Sequence, residues 1–317
     1  MKAVVSDIVR HGDTIAVITL RSATGEPLPP YTPGSHIDVR VPGGVERQYS
    51  LCSGDGNPQG DYRIAVKKEA QSRGGSVALH ALNEGDEVEI SEPRNNFALD
   101  ESAPYTLLIA GGIGIAPIFA MARELSSRGA DYDLLYFVSD ANEAAFIGEL
   151  ESMCGDNLQV IVGSGQRDRQ PGLYRNKLSD AAMGTHVYIC GPLGFMNTAR
   201  AVAEEYLPAD AIRMEHFEAD PELLHGDADD HPFIVEFQGE EYEIPADKSI
   251  LEVFDEEDIP ILSSCEEGTC GNCMMIAVEG DVDHRDSVFT DEQHAQGRMA
   301  TCVSRAKGDR LVIKRHR

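Results

Sequence analysis

Three cysteines crowd one short loop, Cys265-Glu-Glu-Gly-Thr-Cys270-Gly-Asn-Cys273, and a fourth follows at Cys302. The C-x4-C-x2-C spacing with one distant partner is the plant-type ligand arrangement of a [2Fe–2S] cluster. Thiolates on so short a loop can surround a small inorganic core. Gly268 and Gly271 let the backbone curl and turn its N–H groups toward the sulfurs. Cys302 is expected to close the site from a strand. The chemistry of such a centre is one-electron transfer. A structural zinc site, or reduced cysteines lying close without a metal, would use the same residue type, but zinc sites usually pair two C-x2-4-C knuckles and Cys302 stands in none. Cys52, Cys154 and Cys190 are left as thiols. Seven cysteines with four committed to iron make no disulfide framework, which places the chain in a reducing compartment.

A second group of residues could hold phosphates and flat rings. Gly111-Gly-Ile-Gly-Ile-Ala-Pro117 follows an apolar run and opens a helical stretch. Glycines permit close backbone approach there, and a helix N-terminus offers N–H groups to a pyrophosphate. Pro117 suits a first helical turn. A plain tight turn would read the same way. Cys190-Gly-Pro-Leu-Gly-Phe-Met196 is another glycine turn after an apolar strand, where a neutral thiol could pack on a nicotinamide or simply be a small buried hydrophobe. Arg47-Gln-Tyr-Ser-Leu-Cys52 puts Arg47, Tyr49 and Leu51 on one strand face and Gln48 and Ser50 on the other. Arg73-Gly-Gly-Ser76 ahead of a short helix could cradle a phosphate. Taken alone, the Arg-x-Tyr-Ser pattern is equally an exposed strand face.

These residues need elements to position them. Up to about residue 100, short alternating runs such as Ile15–Leu20 and His36–Val41 are punctuated by Gly/Pro turns, which predicts an antiparallel barrel interrupted by a helix near Ser76–Leu82. From about 104, the apolar runs Tyr105–Ala110, Asp133–Val138, Leu158–Val162 and His186–Cys190 alternate with helices, predicting buried strands of a parallel α/β sheet. An acidic linker leads to a hairpin (Pro232–Phe237, Glu241–Ile244), a helix near Ile250–Glu257, the cysteine loop and a last strand, Arg310–Lys314, in a compact α+β unit. The expected divisions are 1–102, 103–222, a linker over 223–231, and 232–317. The 317 residues carry 54 acidic and 27 basic side chains, a net charge of −27. That surface repels nucleic acid and suits an electropositive protein partner or a salty cytoplasm. No apolar run is long enough to span a membrane and no signal core opens the chain, so a cytoplasmic protein without a membrane anchor is expected.

In this order the motifs resemble the phthalate dioxygenase reductase family, with its vanillate demethylase and carnitine monooxygenase reductase members. The resemblance rests on Arg47-x-Tyr-Ser-Leu51, Arg73-Gly-Gly-Ser76, Gly111–Pro117, Cys190-Gly-Pro192, Glu215-His-Phe217 and the cysteine set. It implies an FMN-binding barrel, a ferredoxin-reductase-like NAD-binding domain and a β-grasp plant-type ferredoxin. Electrons would pass from NADH through FMN and the cluster, one at a time, to a partner oxygenase, with the reductase a monomer. By the same similarity Arg47, Tyr49 and Ser50 line the flavin, Ser50 close to its reactive nitrogen. Lys67, Arg73, Gly74, Gly75 and Ser76 hold its phosphate, and Phe217 lies beside its ring. Gly112, Gly114, Pro117, Cys190 and Gly191 bound the nicotinamide and pyrophosphate. Ser50, Cys190 and Phe217 are the expected catalytic residues. Asp140 stands where relatives often carry Arg; a carboxylate there would bind a ribose diol and repel a 2′-phosphate, favouring NADH. A solvated loop aspartate is the other reading. A P450-partner reductase, a free-standing diaphorase and a redox-sensing iron–sulfur protein are the alternatives in function.

Overall fold

The computed structural model describes residues 1–41, 44–52, 60–69, 74–163, 165, 169–218 and 230–316. They divide into two compact units, Met1–Glu215 and His216–Arg317. No helix among them is long and apolar enough to cross a membrane.

The first unit opens with strands β1 Lys2–His11, β2 Ile15–Ser22, β3 Ser35–Arg40, β4 Glu46–Ser50 and β5 Tyr62–Lys67, then helix α1 Gly75–His80, β6 Glu87–Ile90 and β7 Arg94–Asn95. The order is β4-β3-β6-β1-β2-β5, with β7 beside β3, and the pairings are antiparallel. A bridge between Leu51 and Ile64 joins the two ends, supported by the Cys52 N–H donating to the Arg63 carbonyl at 2.8 Å. Closure removes the open edges of the sheet. Period-two alternation sends Ile37, Val39 and Leu51 into the barrel core with Val5, Ile18, Leu20 and Ile64. It leaves His36 and Ser50 on the opposite face.

The chain continues through β8 Thr106–Gly111, helix α2 Ile115–Arg128, β9 Tyr132–Val138, α3 Ile147–Cys154, β10 Leu158–Val162, α4 Gln170–Leu178, β11 His186–Cys190, α5 Leu193–Ala203 and β12 Ile212–Glu215. The sheet runs β10-β9-β8-β11-β12, parallel throughout. Leu108 and Ala110 pack with α2, while Leu107 and Ile109 pack with residues of α4 and α5. Strands covered on both faces read as continuous apolar runs, as β8 does from Leu107 to Ala110. β10 departs from the expected buried strand. It lies at the sheet edge and is half exposed, because an edge strand has a neighbour on one side only. Ile15, Val17, Cys52, Ala65 and Phe97 of the barrel region share the α2 core. The Arg63 guanidinium grips Glu149 with two bonds of 3.0 and 2.8 Å. Barrel and sheet are therefore one packed body.

The second unit contains β13 Phe233–Phe237, β14 Glu240–Ile244, α6 Ile250–Glu256, β15 Met274–Glu279, β16 Val282–Asp283, α7 Asp291–Ala295, β17 Arg298–Ala300, β18 Arg305–Ala306 and β19 Arg310–Arg315. Its main sheet is ordered β14-β13-β19-β15-β17, with β16 and β18 as a separate ribbon. β13 and β19 run parallel and the other pairs antiparallel. Helix α6 starts at a capping box between Ser249 and Glu252 and buries Ile250, Val253 and Phe254 against Phe233, Val235 and Leu311. Residues 223–229 of the expected linker lie outside the described residues. Its last two are tied into this unit: Asp230 accepts from Arg285 at 3.1 and 2.5 Å, and the His231 carbonyl accepts from Arg305 at 3.1 Å.

Candidate functional site

The cysteine loop lies between α6 and β15. Gly268 and Gly271 both take positive φ, +71° and +74°. A Cβ at Gly268 would lie 2.7 Å from Val303 and 2.9 Å from the Asp286 backbone, so this turn is closed to a side chain. The Sγ atoms of Cys273 and Cys302 are in hydrogen-bond contact at 3.3 Å. The Glu267 N–H donates to Cys265 at 3.4 Å and the Asn272 N–H to Cys270 at 3.5 Å. Contact with the Cys270 thiol draws Cys265 down to about 5 despite burial, and contact with Cys302 lowers Cys273 in the same way. Four thiols from one loop and the following turn, with backbone donors aimed at sulfur, fit a [2Fe–2S] core. The approach of Cys302 differs from expectation. β17 ends at Ala300, and Cys302 sits in the following turn, not on a strand. The turn is pinned by Thr301, whose hydroxyl donates to the Cys273 carbonyl at 2.9 Å. A turn can bring its side chain back over a loop, whereas a strand would send it to one sheet face.

The two glycine motifs meet at the carboxyl ends of β8 and β11, adjacent parallel strands on either side of which the chain reverses direction. That crevice is where open α/β sheets bind ligands. Gly112 has φ +55°. Gly112–Gly114 form one 3-10 turn that runs straight into α2, so the loop is itself helical rather than an extended entry. Gly114 has ordinary helical φ and is glycine for space: a Cβ there would fall 2.2 Å from the Cys190 carbonyl oxygen and 2.7 Å from the Gly191 nitrogen. Pro117, third in α2, is buried and needs no N–H partner. Cys190 is fully buried and burial pushes its thiol well up, so it is neutral. Asp140 is exposed just beyond β9, and its Oδ1 accepts from the Asn142 N–H at 2.8 Å.

On the barrel, the expected flavin residues split by strand face. Arg47 and Tyr49 lie beneath the first turn of α1: a Cβ on Gly75 would come 2.5 Å from Arg47 Cγ and 3.5 Å from the Tyr49 hydroxyl. Gly74 takes φ +102° to turn the chain into that helix. Ser76 Oγ accepts from the Glu69 N–H at 3.1 Å, and Lys67 pairs with Glu69 at 3.3 Å. Burial raises Tyr49 to about 12, keeping its hydroxyl a neutral donor. A guanidinium, two hydroxyls and a lysine around a two-glycine approach fit a phosphate. Arg73 lies outside the described residues. Ser50 points the other way and donates to Glu215 Oε2 at 3.0 Å. Phe217, expected beside the flavin, falls in the second unit and is 40 % exposed.

Glu215 was visible in the sequence only as part of Glu-His-Phe. The strand that carries it, Ile212–Glu215, is not among those expected from the sequence. Glu215 is paired in register with Cys190 across β11 and β12, so Cys190, Glu215 and Ser50 connect the sheet crevice to the barrel. Burial raises Glu215 to about 8, opposed by the Ser50 hydrogen bond. Between about 4.5 and 8 the folded chain thus holds a proton that the unfolded chain has lost. The associated stability is full below about 4.5 and disappears as pH rises through about 8. Glu215→Gln removes this dependence. Its melting temperature relative to wild type is expected to climb between pH 5 and pH 9; a difference constant across that range would show that Glu215 titrates as an ordinary carboxylate.

Residues 233–307 match the family described as 2Fe-2S iron-sulfur cluster binding domain. Residues 90–211 match the one described as dimethylamine monooxygenase subunit DmmA-like, N-terminal domain. The chain is 42 % identical over 298 residues to the vanillate O-demethylase oxidoreductase of Pseudomonas sp. (strain HR199 / DSM 7063), covering 92 % of each. It resembles the crystal structure of phthalate dioxygenase reductase, described as a modular structure for electron transfer from pyridine nucleotides to [2Fe-2S], with a TM-score of 0.70 and 34 % identity over 99 % of this chain and 97 % of that one. An intact type IV self-sufficient cytochrome P450 monooxygenase matches with a TM-score of 0.87 and 36 % identity; 98 % of this chain is covered but only 40 % of that one.

Proposed function

The chain belongs to the phthalate dioxygenase reductase family, and from that premise we propose that it is the reductase component of an oxygenase system. It takes electrons from NADH and delivers them singly, through FMN and a [2Fe–2S] cluster, to a partner oxygenase of the Rieske type. The carrying observation is the Cys190–Glu215–Ser50 connection, which joins the nucleotide crevice to the flavin face within one packed body.

When bound, the flavin supplies hydride acceptance and the cluster one-electron transfer. The rest is positioning by this chain. Arg47, Tyr49, Lys67, Gly74, Gly75 and Ser76 hold the FMN phosphate around the start of α1. Gly112, Gly114, Pro117 and Gly191 admit the dinucleotide to the crevice, and the neutral Cys190 thiol packs against the nicotinamide without adding charge. Asp140 accepts from the adenosine ribose and repels a 2′-phosphate. Hydride transfer needs its two atoms within about 3–3.5 Å, which is a matter of such orientation. Each hydride brings one hydrogen nucleus with two electrons. Once the electrons leave, one proton per NADH must depart. The buried Glu215 carboxyl, hydrogen-bonded by Ser50, already carries a proton at neutral pH and would therefore serve as a relay, releasing one proton as it takes another. Glu266 is exposed beside the cluster ligands and adds to an acidic surface suited to a basic partner. The chain acts as a monomer in the cytoplasm.

The test is an anaerobic spectral titration of the pure protein with NADH and then NADPH. Flavin and iron–sulfur bands are expected to bleach together, with NADH in preference. Bleaching of flavin alone would leave a diaphorase, and a colourless protein would overturn the cofactor assignments. A second reading, a reductase for a P450, is favoured by the likeness to the self-sufficient P450. Reconstitution with a Rieske oxygenase and with a P450 separates the two.

A further inference from the structure

A carboxylate with no exposed side-chain surface stands beside the cysteine loop. The side chain of Asp286, shortly after β16, is 0 % exposed. Ionised groups are rarely buried unless they are paired and hydrogen-bonded, and four groups meet this one. Oδ1 accepts from the Phe289 N–H at 3.3 Å and contacts His294 Nε2 at 3.0 Å. Oδ2 accepts from the Ser304 hydroxyl at 3.1 Å and faces His284 Nδ1 at 3.9 Å. The His284 and His294 rings stack, their centroids 3.8 Å apart. The adjacent Arg285 is paired elsewhere, with Asp230 and Asp283.

Two of the segments around Asp286 carry cluster ligands. Its Cα and Cβ lie 2.9 and 3.1 Å from where a Cβ on Gly268 would stand, and Val303, next after Cys302, comes within 2.7 Å of the same point. The loop corner between Cys265 and Cys270 is thus packed against both Asp286 and the Cys302 turn. The Ser287 N–H fastens that corner by donating to the Gly268 carbonyl at 3.1 Å. Ser304 ends the turn, its N–H bonded to the Ala300 carbonyl at 2.9 Å, and is 0 % exposed. Its hydroxyl accepts from the Arg285 N–H at 3.4 Å and donates its own proton to Asp286. The β16–β18 ribbon, which pairs Asp283 with Arg305, brings these groups together.

We propose that Asp286 is a positioning residue for the iron–sulfur cluster: it ties the Cys302 turn, through Ser304, to the Gly268 corner of the loop, and so fixes where Cys302 stands relative to the other three ligands. The inference rests on the [2Fe–2S] assignment. A hydroxyl donating to a carboxylate makes a stronger bond than a neutral pair. Both ends are buried, so no solvent replaces the bond once it is lost. Asparagine at 286 keeps the link, because its amide can donate to Ser304 Oγ while its oxygen accepts from Phe289. Alanine at either position breaks it.

The experiment uses the full chain with its cluster in place and two readouts that need no turnover. These are the electron paramagnetic resonance spectrum of the dithionite-reduced cluster and the rate at which an iron chelator bleaches it. Ser304→Ala is expected to shift the spectrum and to speed bleaching about tenfold, the scale of one lost hydrogen bond to a charged group. Asp286→Asn should bleach within about threefold of wild type. Asp286→Ala and the double variant Asp286→Ala/Ser304→Ala should bleach at the same rate as each other, since both lack the same bond. A merely structural contact would lower the melting temperature and leave the spectrum alone. An unshifted spectrum in Ser304→Ala would overturn the proposal, and so would additive effects in the double variant. A wild type with no iron–sulfur signal would overturn the cluster assignment and this inference with it, so the two failures are distinguishable.

Discussion

Replacing Cys270 with serine is expected to stop delivery of single electrons while sparing the entry of the hydride. Cys270 is buried in the loop and takes the Asn272 N–H on its sulfur. Iron in such clusters is held by thiolates. A serine hydroxyl stays protonated at neutral pH and is too hard a ligand to replace one. The barrel and parallel sheet belong to the other compact unit, so their binding residues are untouched. Reduction of cytochrome c, or of an oxygenase, should fall by on the order of a hundredfold or more, the usual scale for removing a group on which a step depends. Bleaching of the flavin by NADH should remain within about twofold of wild type. Full acceptor reduction by the variant would exclude the cluster from the route.

The second large effect is expected at Gly114. The atoms that a Cβ would strike, the Cys190 carbonyl oxygen at 2.2 Å and carbon at 2.4 Å, are backbone. They cannot swing aside as a side-chain tip could, because β8 and β11 are locked by their parallel ladder from His186–Thr106 to Cys190–Ala110. Gly114→Ala must push the two loops of the crevice apart. Overpacking of this kind costs about 1–3 kcal/mol of stability. A displacement near 1 Å in a site that works by orientation costs roughly a hundredfold in rate, so kcat/KM for NADH should fall by about that factor in stopped-flow flavin reduction. Gly194→Ala is the control. It lies in the first turn of α5 with open space at its Cβ, and alanine there should leave kinetics unchanged. Equal behaviour of the two variants would mean that the crevice is not held by close approach.

Much of this molecule is governed by short-range pattern. The cysteine spacing specifies its ligand set because three thiolates on one loop are close whatever surrounds them. The period-two runs of the barrel and the continuous apolar runs of the sheet appear as strands within a residue or two of expectation, since alternation and double-sided burial are local in sequence. The positive φ at Gly268 and Gly271 follows from the same tight loop.

Other features depend on which elements become neighbours. Leu158–Val162 is apolar enough to be a central strand, yet the order β10-β9-β8-β11-β12 leaves it at an edge. Cys302 arrives on a turn because β17 stops at Ala300, and nothing in Cys-Val-Ser marks that stop. Ser50 meets Glu215 across 165 residues. Cys190 meets the same glutamate only because β11 and β12 are adjacent, and Ser304 reaches Asp286 only because β16 pairs with β18. Sequence by itself thus determined which groups are present and how each short segment folds, since spacing and periodicity act over a few residues. The raised carboxyl of Glu215 and the buried carboxylate of Asp286 were decided by tertiary structure alone, because burial and the approach of distant groups exist only once the strands have found their partners.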